Sequence, residues 1–142
     1  MGKERVSQQQ KLEIMAFFAS RPGAHALFWA LLEGLGEDFP QTVLSVQKTQ
    51  ITLKNPRVFA CISLPRSALP PGKGAGILVS FGLPHRAESP RILRWAEPYP
   101  NRVTHHVLVT EKGEIDAELL SLLKAAYDFS LAKGRRGPGG GR

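Results

Sequence analysis

One cysteine among 142 residues rules out an internal disulfide framework and fits a reducing cytoplasm. No apolar run approaches membrane-spanning length. The apolar patch over 14–19 follows Glu13 and reads as one side of an amphipathic helix, not as a signal peptide, so no membrane partner is expected. Acids are few, 12 against 19 lysines and arginines, and no two are spaced for paired acid–base work. Gly72-Lys73-Gly74 lacks the spacing and the following Ser or Thr of a phosphate-binding loop. Val79-Ser80-Phe81-Gly82 lacks the glycine pattern that exposes a nucleophilic serine. With no carboxylate at ligand spacing beside the single cysteine, a zinc site is not expected either. These absences leave no metal and no cofactor to predict.

What is present is ordinary globular composition, 42% hydrophobic and 22% charged, in a chain long enough for one core. The net charge of +7 belongs to the ends: residues 1–11 carry +2 and 133–142 carry +4, leaving +1 between them. A single folded domain is expected over 7–132, followed by a disordered, basic, glycine-rich tail over 133–142. Such a tail attracts polyanions weakly and without specificity.

Ser7 and Gln10 match a capping box, and Leu12, Ile14, Met15, Phe18 and Ala19 offer a first helix a broad apolar face. Pro22 suits the first position of a second helix, with Ala24, Leu27, Phe28, Leu31 and Leu35 on one side and His25 and Trp29 on the flank. Strands are then predicted over 42–46, near 51–53, and over 58–64, 77–83 and 102–110. The parity change between Leu44 and Ile51 requires a break near Gln47-Lys48-Thr49, because strand side chains alternate strictly. The strand over 58–64 is apolar on both faces and reads as central, with Cys61 packed as a small hydrophobe. Residues 64–76 form a long connection rich in proline and glycine. Asp116 caps a last helix, with Ile115 and Leu120 placed as a hydrophobic staple and Leu119, Leu123, Ala126, Tyr127 and Ser130 at helical spacing. The fold class is α+β: two N-terminal helices, a mainly antiparallel sheet of about five strands, and a C-terminal helix packed on the sheet.

Polar groups gather most densely over 84–109, which holds three of the four histidines, four arginines, Trp95 and Tyr99. His105 and His106 are adjacent on a strand and diverge, so they do not share a metal. His105 shares a face with Val103, Val107 and Val109 and is expected to be partly buried. His106 lies with Thr104 and Leu108. Ser89-Pro90 reads as the start of a short helix ending at Pro98, whose free amides would favour an anion and whose spacing would put Arg91, Arg94 and Trp95 on one face. Arg86, Arg102, His106 and Lys48 complete the candidate site.

Lys48-Thr49-Gln50-Ile51, Leu83-Pro84, Ser89-Pro90-Arg91-Ile92, Arg102-Val103-Thr104-His105-His106 and Ala126-Tyr127-Asp128-Phe129 recur in that order in a bacterial domain-of-unknown-function family, which the chain resembles over 17–129. The resemblance implies a stand-alone α+β domain, sometimes labelled a predicted transport protein or attached to nuclease-like modules. It carries no activity and no catalytic residue.

The leading expectation is a non-enzymatic cytoplasmic module binding an anionic ligand or nucleic acid through Arg86, Ser89, Arg91, Arg94, Trp95, Arg102, His106 and Lys48. One alternative is an enzyme using His106, Lys48 or Cys61 in a cleft. Another is a protein-interaction or dimerisation module built on Trp29, Trp95 or a strand edge.

Overall fold

A computed structural model describes residues 6–65 and 76–136. Its first helix, α1 (Gln8–Phe17), is opened by the Ser7–Gln10 capping box: Ser7 Oγ accepts from the Gln10 amide at 3.1 Å, and Gln10 Oε1 accepts from the Ser7 amide at 3.3 Å. Gln10 Nε2 also donates to the Leu44 carbonyl at 3.0 Å, tying the helix to the sheet edge. The apolar face is narrower than its spacing predicts. Only Ile14 and, just past the helix, Phe18 are buried, while Leu12 and Met15 are 51% and 55% exposed. The helix meets the body of the protein along one i, i+4 line, which leaves the neighbouring positions in solvent.

Pro22 starts α2 (Pro22–Leu35), and Gly36 ends it at φ 54, a backbone conformation glycine adopts without strain. Ala24, Leu27, Phe28, Leu31, Leu32 and Leu35 are buried. Six strands follow: β1 (Val43–Val46), β2 (Ile51–Lys54), β3 (Val58–Ser63), β4 (Ile77–Leu83), β5 (Ile92–Tyr99) and β6 (Arg102–Val109). They form one antiparallel sheet in the order β1-β2-β3-β4-β6-β5. The required break near Lys48 is a hairpin turn in which the Gln47 amide donates to the Gln50 carbonyl at 2.8 Å.

Residues 92–99 form a strand, not the helix expected from Ser89-Pro90. The reason lies in the neighbour. Without β5, the edge of β6 away from β4 would present a row of unsatisfied amides and carbonyls, and an adjacent strand satisfies them where a helix would not. The connection is a tight turn with Asn101 at φ 66. Pro98 is tolerated because β5 is an edge strand, and the ladder skips between Ala96 and Tyr99.

One sheet face is covered by helices. Ile51, Leu53, Ile62, Val79, Phe81 and Val107 pack there with the buried sides of α2 and of α3 (Ala117–Arg136). A register skip between Leu53 and Lys54 leaves Phe59 unpaired in β3, and its ring packs between Phe39 and Tyr127. Asp116 caps α3 by accepting from the Leu119 amide at 3.1 Å, and Leu119, Leu123, Ala126, Tyr127 and Ser130 are buried. The helix runs to Arg136, past the boundary expected at 132. Residues 137–142 of the expected tail, and 66–75 of the proline-rich connection, lie outside the described residues.

The Tyr127 hydroxyl donates to the Pro40 carbonyl at 2.7 Å and accepts from Asn55 Nδ2 at 2.8 Å, fixing α3 to the β2–β3 turn. Tyr127→Phe removes both bonds, and because Asn55 Nδ2 still donates to the Pro40 carbonyl at 2.8 Å the loss should be about 1 kcal/mol. A thermal melt checks this; an unchanged midpoint would contradict the role given to the hydroxyl.

Candidate functional site

Strand alternation sends Phe81 and His105 into the helix-covered face, and Ser80 and His106 to the other. Register then aligns side chains across the sheet. Cys61 lies opposite Ser80, Ser80 opposite His106, and His106 opposite Arg94, so one transverse row crosses β3, β4, β6 and β5. The next row is Ser63, Leu78 and Leu108. These rows floor an open groove of about 1040 Å³, walled by Phe17 at the end of α1 and by Lys48 and Gln50 in the β1–β2 turn.

A bulge shapes one side of the groove. Between Ile92 and Arg94, β5 advances two residues while β6 advances one, leaving Leu93 unpaired. Successive residues on a regular strand point apart, yet Leu93 and Arg94 both line the groove, the re-aiming that an extra residue produces.

Ser80 Oγ and His106 Nδ1 are 2.7 Å apart. Burial holds the His106 pKa below 6.5, and the nearby charge of Arg94 and then His105 add to the effect. The ring is therefore neutral at pH 7. Burial pushes the Cys61 thiol up, against smaller opposing effects from a Ser80 hydrogen bond and the Arg102 charge. A protonated thiol is a poor nucleophile. Cys61 is half-buried on the groove face and not in the core, because its parity follows Ser63 and not Ile62.

Of the eight candidate site residues, Lys48, Arg94 and His106 line the groove. Arg102 shares the face of Thr104 and His106, and its guanidinium lies against Gly82 in the volume a Cβ would fill. The other four are elsewhere. Arg91 is neutralised: it pairs with Asp116 at 2.6 Å and Glu118 at 3.5 Å and donates to the Glu114 carbonyl, joining the start of β5 to the start of α3. Ser89 sits in a turn, bonded to the Arg91 amide and to Glu118. Trp95 pairs with His105, on the side opposite Arg94, and the Arg86 guanidinium stacks 4.0 Å from its ring centre. A shared helical face for Arg91, Arg94 and Trp95 therefore does not exist, since a strand replaces the helix that would have made it.

His105 is fully buried, stacked on Phe81 at 5.2 Å, and accepts from the Ala87 amide through Nε2 at 2.9 Å. Its Nδ1 has no partner within hydrogen-bond geometry among the described residues. Burial lowers its pKa, with the Val103 and Phe81 carbonyls opposing the shift and the charges of His85 and Arg86 adding to it.

Ser80, Thr104, Leu78, Leu93 and Leu108 were not among the candidates. Outward parity on β4 and β6 was the only signal for Ser80, Thr104, Leu78 and Leu108, and it does not say which strands are neighbours; Leu93 reaches the groove through the β5 bulge, which local spacing does not announce. Among the described residues no three of His, Cys, Asp and Glu are grouped to hold a metal, and no helix is long and apolar enough to cross a membrane.

The class this defines is an α+β fold whose antiparallel sheet is covered by helices on one face and carries a groove of mixed polar and apolar lining on the other. The chain belongs to the family described as a domain of unknown function (DUF5655), matched over residues 14–130. No curated protein and no solved structure matches it.

Proposed function

We propose that the protein is a non-enzymatic binding module and that the open sheet face receives an anionic group. The observation carrying this reading is an imbalance of charge. Lys48 and Arg94 line the groove beside the neutral His106, Arg102 lies on the same face, and among the described residues no Asp or Glu lines it. No ion pair joins Lys48, Arg94 or Arg102 to an acid among the described residues. Guanidinium groups with hydroxyls beside them supply the planar, charge-assisted donors that carboxylates and phosphates accept.

Catalysis is the second reading, favoured by the Ser80–His106 contact and by Lys48, Cys61 and His106 lining one groove. Two features weigh against it. Ser80 is only 7% exposed, and the amides around it on β3, β4 and β6 serve the sheet ladder, leaving none to stabilise an oxyanion. Nucleic acid is a weaker ligand than a small anion here because the floor rows, among the described residues, hold no Phe, Tyr or Trp for base stacking; Phe17 stands on the wall and the His106 ring is engaged by Ser80. The uncombined thiol suits a reducing compartment, and we assign the protein to the cytoplasm on that ground.

The test is an NMR titration of the full chain with inorganic phosphate at low and moderate salt. Amides of β4 and β6 should shift, and Arg94→Ala and Arg102→Ala should each weaken binding about tenfold, the loss expected for one charged hydrogen bond. Arg91→Ala should leave it unchanged. Absence of shifts at low salt, or equal losses in all three variants, overturns the reading.

A further inference from the structure

We infer that the groove takes an amphipathic anion, a carboxylate or phosphate carrying a short aliphatic chain. This rests on the anion-binding reading and names its ligand class. Two parallel rows of opposite character carry the inference. The row Cys61, Ser80, His106 and Arg94 is polar and ends at a guanidinium with no ion-pair partner among the described residues. Beside it, Leu78 and Leu108 are direct neighbours on β4 and β6. The β5 bulge turns Leu93 to the same surface, and Phe17, Leu64 and Pro65 close the rim.

The apolar side chains are not packed under another element among the described residues: Leu93 is 56% exposed, and Leu78 and Leu108 are half-buried. Among the described residues no helix or strand lies over these three leucines, so they contribute little burial to the folded core. A bare inorganic anion would use the polar row and leave this strip wet. A nucleic-acid strand would want rings to stack on, and the strip has none in its floor. An alkyl chain suits it. From β5 to β4 the side chains of Leu93, Leu108 and Leu78 span two strand spacings, about 10 Å, the reach of roughly eight carbons, before Ser63 ends the row on β3. A head group over His106 and Arg94 would leave such a chain lying across Leu108 and Leu78 toward Leu64.

Calorimetric or NMR titration of the full chain with inorganic phosphate, butyl phosphate, octyl phosphate and octanoate, all below micellar concentration, tests this. Full burial of a methylene gives about a fourfold gain in affinity, and a groove open on one side about half of that factor. Octyl phosphate should therefore bind at least about tenfold more tightly than butyl phosphate. Comparing octyl phosphate with octanoate identifies the head group. Leu93→Ser and Leu108→Ser, both on the open face, should flatten the chain-length dependence and leave inorganic phosphate binding unchanged. Equal affinity for butyl and octyl phosphate overturns the aliphatic chain while the anion site stands. No binding of inorganic phosphate or of any alkyl anion at low salt removes the anion site itself. Chain-length dependence that survives the double variant Arg94→Ala with Arg102→Ala marks non-specific partitioning and overturns the inference. A single-stranded oligonucleotide that competes out octyl phosphate at equal concentration overturns it in favour of nucleic acid.

Discussion

Phe81→Ala should destabilise the protein by about 3–5 kcal/mol, the range for removing a fully buried aromatic side chain. Phe81 is 1% exposed on β4, between Ala60 of β3 and His105 of β6, and its ring stacks on the His105 ring with 3° between planes. Loss of the ring opens a cavity at the centre of the covered face and uncovers an imidazole whose Nδ1 has no hydrogen-bond partner among the described residues. A domain of this size has only about 5–15 kcal/mol in total, so the variant should unfold at a much lower urea midpoint with an unchanged slope. A loss below about 1 kcal/mol would show that β4 is not the central core strand.

The second large effect is acid sensitivity above the carboxylate range. His105 and His106 both titrate below 6.5 in the folded protein, mainly through burial. Below 6.5 the unfolded chain binds more protons than the folded one, so stability falls as pH is lowered through that value. The loss continues until the folded pKa values are passed and then stops. Its slope reaches at most about 1.4 kcal/mol per pH unit for each histidine. Denaturation measured between pH 7.5 and 4.5 should show this fall, and His106→Gln should remove its share without opening the core. A flat profile in the wild-type protein contradicts the burial of His105. Asp116 belongs to a lower window. The Leu119 amide and Arg91 hold its pKa below 3.8, so the stability it contributes is present above that value and lost as pH falls beneath it.

Both effects trace to one pair of neighbours, His105 and His106, which alternation sends to opposite environments. One becomes part of the core against Phe81. The other meets Ser80 and Arg94 in the groove. The divergence was legible because a strand was the evident reading of Arg102-Val103-Thr104-His105-His106. The companions were not legible. Ser80 is 26 residues from His106, and only the pairing of β4 with β6 brings Oγ to Nδ1.

The 84–109 stretch shows where local reading misleads. Ser89-Pro90 followed by Arg91, Arg94 and Trp95 has the punctuation and spacing of a capped helix, and an isolated segment gives no reason to choose otherwise. The free edge of β6 decides the matter, and with it the fate of each arginine. Arg94 turns to the groove. Arg91 stays at the strand's beginning, within reach of Asp116 and Glu118. Cys61 follows the same logic: an apolar run such as 58–64 tells that both faces are shielded to some degree, but not which one lies under helices.

Local chemistry alone determined the caps at Ser7 and Asp116, the start at Pro22, the buried faces of α2 and α3, the break near Lys48 and the α+β class. Each depends on residues within a few positions of one another. The sixth strand, the order β4-β6-β5, the three register shifts and the convergence of Lys48, Arg94 and His106 were decided only by the tertiary structure. They depend on which strand edges are left to be satisfied once the rest of the sheet has formed. A hydrogen-bonding edge left open is a property of the assembled sheet, and no short window of sequence contains it.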